Sequence, residues 1–91
     1  MITTTQLAMC IQLLDLSSLY VTYHADYDAN LEDKLITEFE VLSDELADRL
    51  AYSSNDLIVA HHLGFIEVMK LTSQEAILAE YETCLGLSNS L

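Results

Sequence analysis

The chain has 91 residues, with fifteen acidic residues against three basic ones and a formal net charge of −12 at pH 7. Direct nucleic-acid binding is excluded, because it takes clustered lysine and arginine to displace counterions from phosphates. Anionic membrane surfaces are disfavoured for the same reason. Disorder needs low hydrophobicity as well as charge, and 52% of these residues are apolar, so one globular domain over residues 1–91 is expected. There is no proline, and Gly64 and Gly86 are the only glycines. A chain so poor in breakers is expected to be all-α, a compact bundle of about four helices.

The first helix is predicted to start at Thr3, which stands in capping-box spacing with Gln6. Leu7, Ile11, Leu14 and Val21 share one face; Met9, Leu13, Leu16, Tyr20 and Tyr23 lie nearly opposite. A helix apolar on two sides must be covered on two sides. Either it is the centre of the monomer, or Leu13, Leu16, Tyr20 and Tyr23 meet a second copy. The β-branched and aromatic run Leu19 to Tyr23 favours an earlier end and extended chain. Tyr20, Tyr23 and Tyr27 follow steps of three and four, which suits a core edge or an interface. Met1 to Leu16 carries no positive residue, so a secretory signal is not expected.

His24 to Asn30 reads as an acidic loop. Its Asp26-x-Asp28-x-Asn30 resembles the opening of an EF-hand calcium loop, which needs oxygen ligands at alternate positions. The resemblance then fails, with Leu31 where glycine belongs and Thr37 where a bidentate glutamate belongs. A turn that caps the next helix is expected, with Asn30 as the cap and no metal.

The second helix is predicted to run to about Tyr52. Leu31, Leu35, Phe39, Leu42, Leu46 and Leu50 form its apolar stripe, in steps of four and three. At about 100° per residue, Asp33, Glu40, Asp44 and Asp48 project as a row on the opposite side. Each base has an acid at helical distance: Lys34 with Glu38, Arg49 with Glu45, Lys70 with Glu67. The row is what remains uncompensated.

Ser53, Ser54 and Asn55 offer a cap for a third helix, about Asp56 to Leu71. It is apolar nearly all round, and such a helix is expected at the buried centre of a bundle. Gly64 within it would admit a close neighbour. The run Leu57 to Ile66 is too short to span a bilayer. Adjacent His61 and His62 point about 100° apart and do not form a metal pair.

Thr72 and Glu75 form a capping box for a fourth helix, which turns Ile77, Leu78, Tyr81, Cys84 and Leu85 inward. Gly86 suits a left-handed position after it, and Ser88 to Leu91 reads as a frayed tail. Cys10 and Cys84 are read as buried free thiols of a cytoplasmic protein.

No nucleophile–base–acid set, glycine-rich phosphate loop or cofactor motif is present, so no catalytic residue, cofactor or enzymatic activity is expected. The partner-binding candidates are Asp33, Glu40, Asp44 and Asp48, with Asp26, Asp28 and the exposed Val41 beside them. They suit a basic protein surface, most naturally one that binds nucleic acid, because a dense line of carboxylates resembles a line of phosphates. In its general character (small, acidic, proline-free and motif-poor) the chain resembles phage-encoded antagonists of host nucleases and DNA-binding machinery. That resemblance implies an inhibitor of the anti-CRISPR or anti-restriction type, acting in the host cytoplasm, and transfers no functional residue. The alternative is a dimeric helical adaptor, chaperone or regulatory subunit.

Overall fold

The computed structural model describes residues 2–16 and 29–91. The described residues form four α-helices and a short 3-10 turn, without a strand: α1 (Thr4–Asp15), α2 (Ala29–Arg49), α3 (Ser54–Met69), α4 (Gln74–Leu85) and the turn Leu87–Ser90. The helical expectation holds. The radius of gyration, 12.8 Å, is close to the roughly 12 Å of a compact domain of this length.

Thr3 caps α1, its side-chain oxygen accepting the Gln6 N–H at 3.0 Å. The helix then buries Leu7, Ala8, Cys10, Ile11, Leu13 and Leu14, which lie on more than one side of it. It packs on α2, α3 and α4. α1 is therefore the centre of the bundle, the first of the two alternatives its two apolar sides allow, and the third helix is not. α4 reaches its C-terminal end: the fully buried Tyr81 hydroxyl lies 2.6 Å from the carbonyl oxygens of both Leu13 and Leu16.

α3 reaches α1 through Gly64. A Cβ there would lie 2.6 Å from the Ala8 carbonyl carbon and 2.7 Å from the Met9 nitrogen, so only glycine admits this approach. The close contact expected of Gly64 is present. On the same side, Gln12 donates to Nδ1 of the half-buried His61 at 3.3 Å.

α2 lays Leu35, Leu42 and Leu46 into the core, with Leu31, Phe39 and Leu50 at its edge, as its periodicity predicts. It ends in a Schellman motif: the Tyr52 N–H donates to the Ala47 carbonyl at 2.9 Å and the Ala51 N–H to that of Asp48 at 3.1 Å. Ala51 and Tyr52 both take positive φ, 51° and 58°. A side chain in that region costs about 1–2 kcal/mol, and glycine is the ordinary occupant.

Several local expectations change. Ser53 caps α3, accepting from Asp56 N–H, but the cap of α4 is Ser73, one residue after the predicted Thr72. Gly86 has φ −103° and is not left-handed. The last residues are not a free tail: Leu87 is buried, and Ser88 donates from its hydroxyl and its N–H to the carboxylate of Glu38. Glu38 is buried, and its carboxylate is held by Ser88 rather than by Lys34, its predicted partner. The predicted Arg49–Glu45 and Lys70–Glu67 pairs form, at 3.1 and 2.8 Å. Arg49 also donates to the Ile2 carbonyl at 2.6 Å, holding the start of the chain to α2.

The cysteines differ most from expectation. Cys10 on α1 and Cys84 on α4 are joined in a disulfide, with Cα atoms 5.4 Å apart. The free-thiol reading is overturned, and with it the argument from thiols for a cytoplasmic location. The bond closes a loop of 74 residues, worth about 4 kcal/mol in the chain-entropy account.

Two outcomes are expected. Ala51→Gly should stabilise the fold by about 1 kcal/mol, read as a rise in Tm of about 4–8 °C. Reducing the disulfide, or changing both cysteines to alanine, should cost up to about 4 kcal/mol in denaturant unfolding; equal stability of the oxidised and reduced protein would contradict the bond.

Candidate functional site

Two surfaces stand out, and they lie on different helices. The first is the outer side of α2. Its 21 residues extend about 30 Å, and Asp33, Glu40, Asp44 and Asp48 are all exposed along it. Steps of four residues set neighbouring carboxylates about 6 Å apart along the axis. Glu40–Asp44 and Asp44–Asp48 are like-charge pairs, each costing the helix a few tenths of a kcal/mol. Among the described residues no lysine or arginine forms an ion pair with the row: Arg49 is taken by Glu45 and Ile2 and Lys70 by Glu67, while Lys34 is exposed on α2 and forms no ion pair. Val41 is exposed beside it as expected. Ile36, about half-exposed on the other flank, was not foreseen. The row is thus a charged strip with an apolar side chain along each border.

Asp48 has one internal partner. The Tyr52 hydroxyl donates to its Oδ1 at 3.0 Å. That hydrogen bond, then the charges of Asp48 and Asp44 and slight desolvation, push the phenol above the ordinary tyrosine value of 10.0. Asp26 and Asp28, the other acidic candidates, fall outside the described residues, as do Tyr20 and Tyr23 of the expected dimer surface. Of the other two residues in that surface, Leu13 is fully buried within the monomer and Leu16 is partly exposed at the end of α1. Helix one therefore offers no apolar face at Leu13, because α1 is itself the centre.

The second surface is the outward side of α3. Ile58, Val59, Leu63, Phe65, Ile66 and Met69 are all exposed, Ile58 by 67% and Met69 by 65%. This corrects the expectation that the third helix is the buried core. A helix apolar all round carries the signal for this second face, since the interior of one small bundle covers only one of its sides.

Between α1 and α2 lies an open pocket of about 260 Å³, lined by Leu14, Asp15, Glu32, Leu35, Ile36 and Phe39. It is smaller than the roughly 300–1,000 Å³ of typical small-molecule sites. Among the described residues one cluster gathers three potential metal-ligand atoms, from Cys10, Glu80 and Cys84. Both sulfurs are committed to the disulfide, so the set is not a metal centre. No helix among the described residues is long and apolar enough to cross a membrane. No family model, curated protein or solved structure matches the chain.

The Tyr52 phenol is expected to titrate above free tyrosine in a pH scan of ultraviolet absorbance, and Asp48→Asn should bring it back towards the ordinary value. The sign follows from linkage: a raised pKa adds stability below the unfolded value, and that stability is lost as pH climbs through the folded one. An identical titration in the variant would refute the Asp48 contact.

Proposed function

We propose that this chain is a non-enzymatic binding protein that presents the carboxylate row of α2 to the basic, nucleic-acid-binding surface of another protein. The observation that carries the reading is the row itself. Asp33, Glu40, Asp44 and Asp48 stay on one exposed helix side, Arg49 and Lys70 are paired elsewhere, and Lys34, exposed on the same helix, forms no ion pair with the row. An arrangement that costs its own helix stability is retained with no ion pair among the described residues to offset it. Lysines and arginines arranged to grip phosphates would find a comparable line of negative charge here, and occupying them would exclude the nucleic acid. Ile36 and Val41 would add apolar contacts at the borders, which a purely solubilising face does not need. In biological terms this is an inhibitor of a defence or DNA-processing complex, of the kind that phages deploy. Such association is fast and sensitive to salt.

The test is displacement of labelled DNA from the defence and DNA-processing nucleases of the native cell. Wild-type protein should release the DNA at low salt and lose potency as salt rises. Glu40→Lys, Asp44→Lys and Asp48→Lys combined should abolish release by at least about 100-fold in Kd, with the helical circular dichroism unchanged. Unaltered displacement by the triple variant would refute the proposal. The exposed apolar side of α3 favours a second reading, a self-associating helical adaptor or regulatory subunit, and bears on the oligomeric state whichever partner α2 meets.

A further inference from the structure

α3 has two apolar sides, and the bundle covers one. Leu57, Ala60, Gly64 and Val68 turn inward, and Gly64 sits directly on the backbone of α1. The opposite side carries Ile58, Val59, Leu63, Phe65, Ile66 and Met69, with His62 among them. On side chains of about 200 Å² each, half-exposure amounts to roughly 600 Å² of apolar surface, at the upper end of what a monomer displays. A standard interface takes about 800 Å² from each partner, so this single face supplies most of one.

We propose that a second copy of this chain docks on this face, α3 against α3, antiparallel about a two-fold axis near Leu63. Charge argues for the position. Two chains of net charge −12 repel, and can meet only where the acids are sparse. α2 carries seven acids against two bases, and α4 three acids and no base. On α3 and its cap there are only Asp56, Glu67 and Lys70, and the last two already pair. Pairing there keeps both carboxylate rows of α2 off the interface.

Charge also argues for the orientation. Asp56 and Lys70 stand at opposite ends of the outward side and project about 40° apart. An antiparallel pair sets Asp56 of each copy opposite Lys70 of the other, twice by symmetry, whereas a parallel pair sets like charge on like. The same pairing sets Ile58 against Met69 and Val59 against Ile66, so the stripe is complementary to itself. A two-fold interface requires that self-complementarity.

The proposal does not depend on the function proposed for α2. It is tested by sedimentation of the intact, oxidised chain up to about 100 µM. Wild-type protein should be a dimer. Ile58→Glu with Met69→Glu should raise the dimer Kd by about 100-fold or more, and because both side chains are exposed in the monomer the thermal unfolding of the monomer should change little. Asp56→Lys and Lys70→Glu should each weaken the dimer, and the two together should restore it. A monomer throughout this range overturns the proposal, as does a dimer that survives the paired glutamates. Singles and double weakened alike overturn the antiparallel pairing. A monomer that binds neutral phosphatidylcholine vesicles, and loses that binding with the glutamates, would give the face to lipid and overturn it too.

Discussion

The approach of α3 to α1 at Gly64 is the constraint on which the rest depends. With no Cβ at that point, α3 lies directly against the backbone at Ala8 and Met9. α1 is thereby covered on one side by α3 and elsewhere by α2 and α4. Its two-sided apolarity, which by itself asks for burial on both sides, is met within one chain. α3 is left in the opposite condition. It is a flanking helix with the composition of a central one, and its outer side has no neighbour among the described residues.

The residues of α2 were readable in advance because two patterns agree. Leucines recur in steps of four and three, and the acids fill the other side, so period and polarity give the same orientation. α3 lacks that contrast. A helix apolar all round says that cover is needed on every side, and says nothing of where the cover comes from. The cysteines were opaque for another reason. Positions 10 and 84 are remote along the chain, and only the packing of α4 on α1 brings their Cα atoms to 5.4 Å. The left-handed pair Ala51 and Tyr52 was hidden because the usual marker, glycine, is absent there. Gly86, which carries that marker, does not take the conformation. The buried Glu38 shows how a spacing rule is overridden: Lys34 stands four residues before it, yet the backbone and hydroxyl of Ser88 claim its carboxylate.

The acids and the exposed apolar side chains are segregated by helix. α2 carries most of the charge among the described helices, while α3 is nearly neutral on its outer side. This separation lets one small domain offer two surfaces that answer to different conditions. Salt would weaken any contact made through the carboxylates of α2, whereas burial of the apolar side chains of α3 would not be lost with it.

The bond between Cys10 and Cys84 fastens the first helix to the fourth, close to both limits of the folded chain. Any motor that grips the polypeptide from either side and threads it through a pore reaches that covalent knot before it has unravelled the bundle. Beyond the knot it must admit two strands abreast. Resistance to such mechanical disposal is therefore written into the linkage and lapses when the sulfurs are reduced.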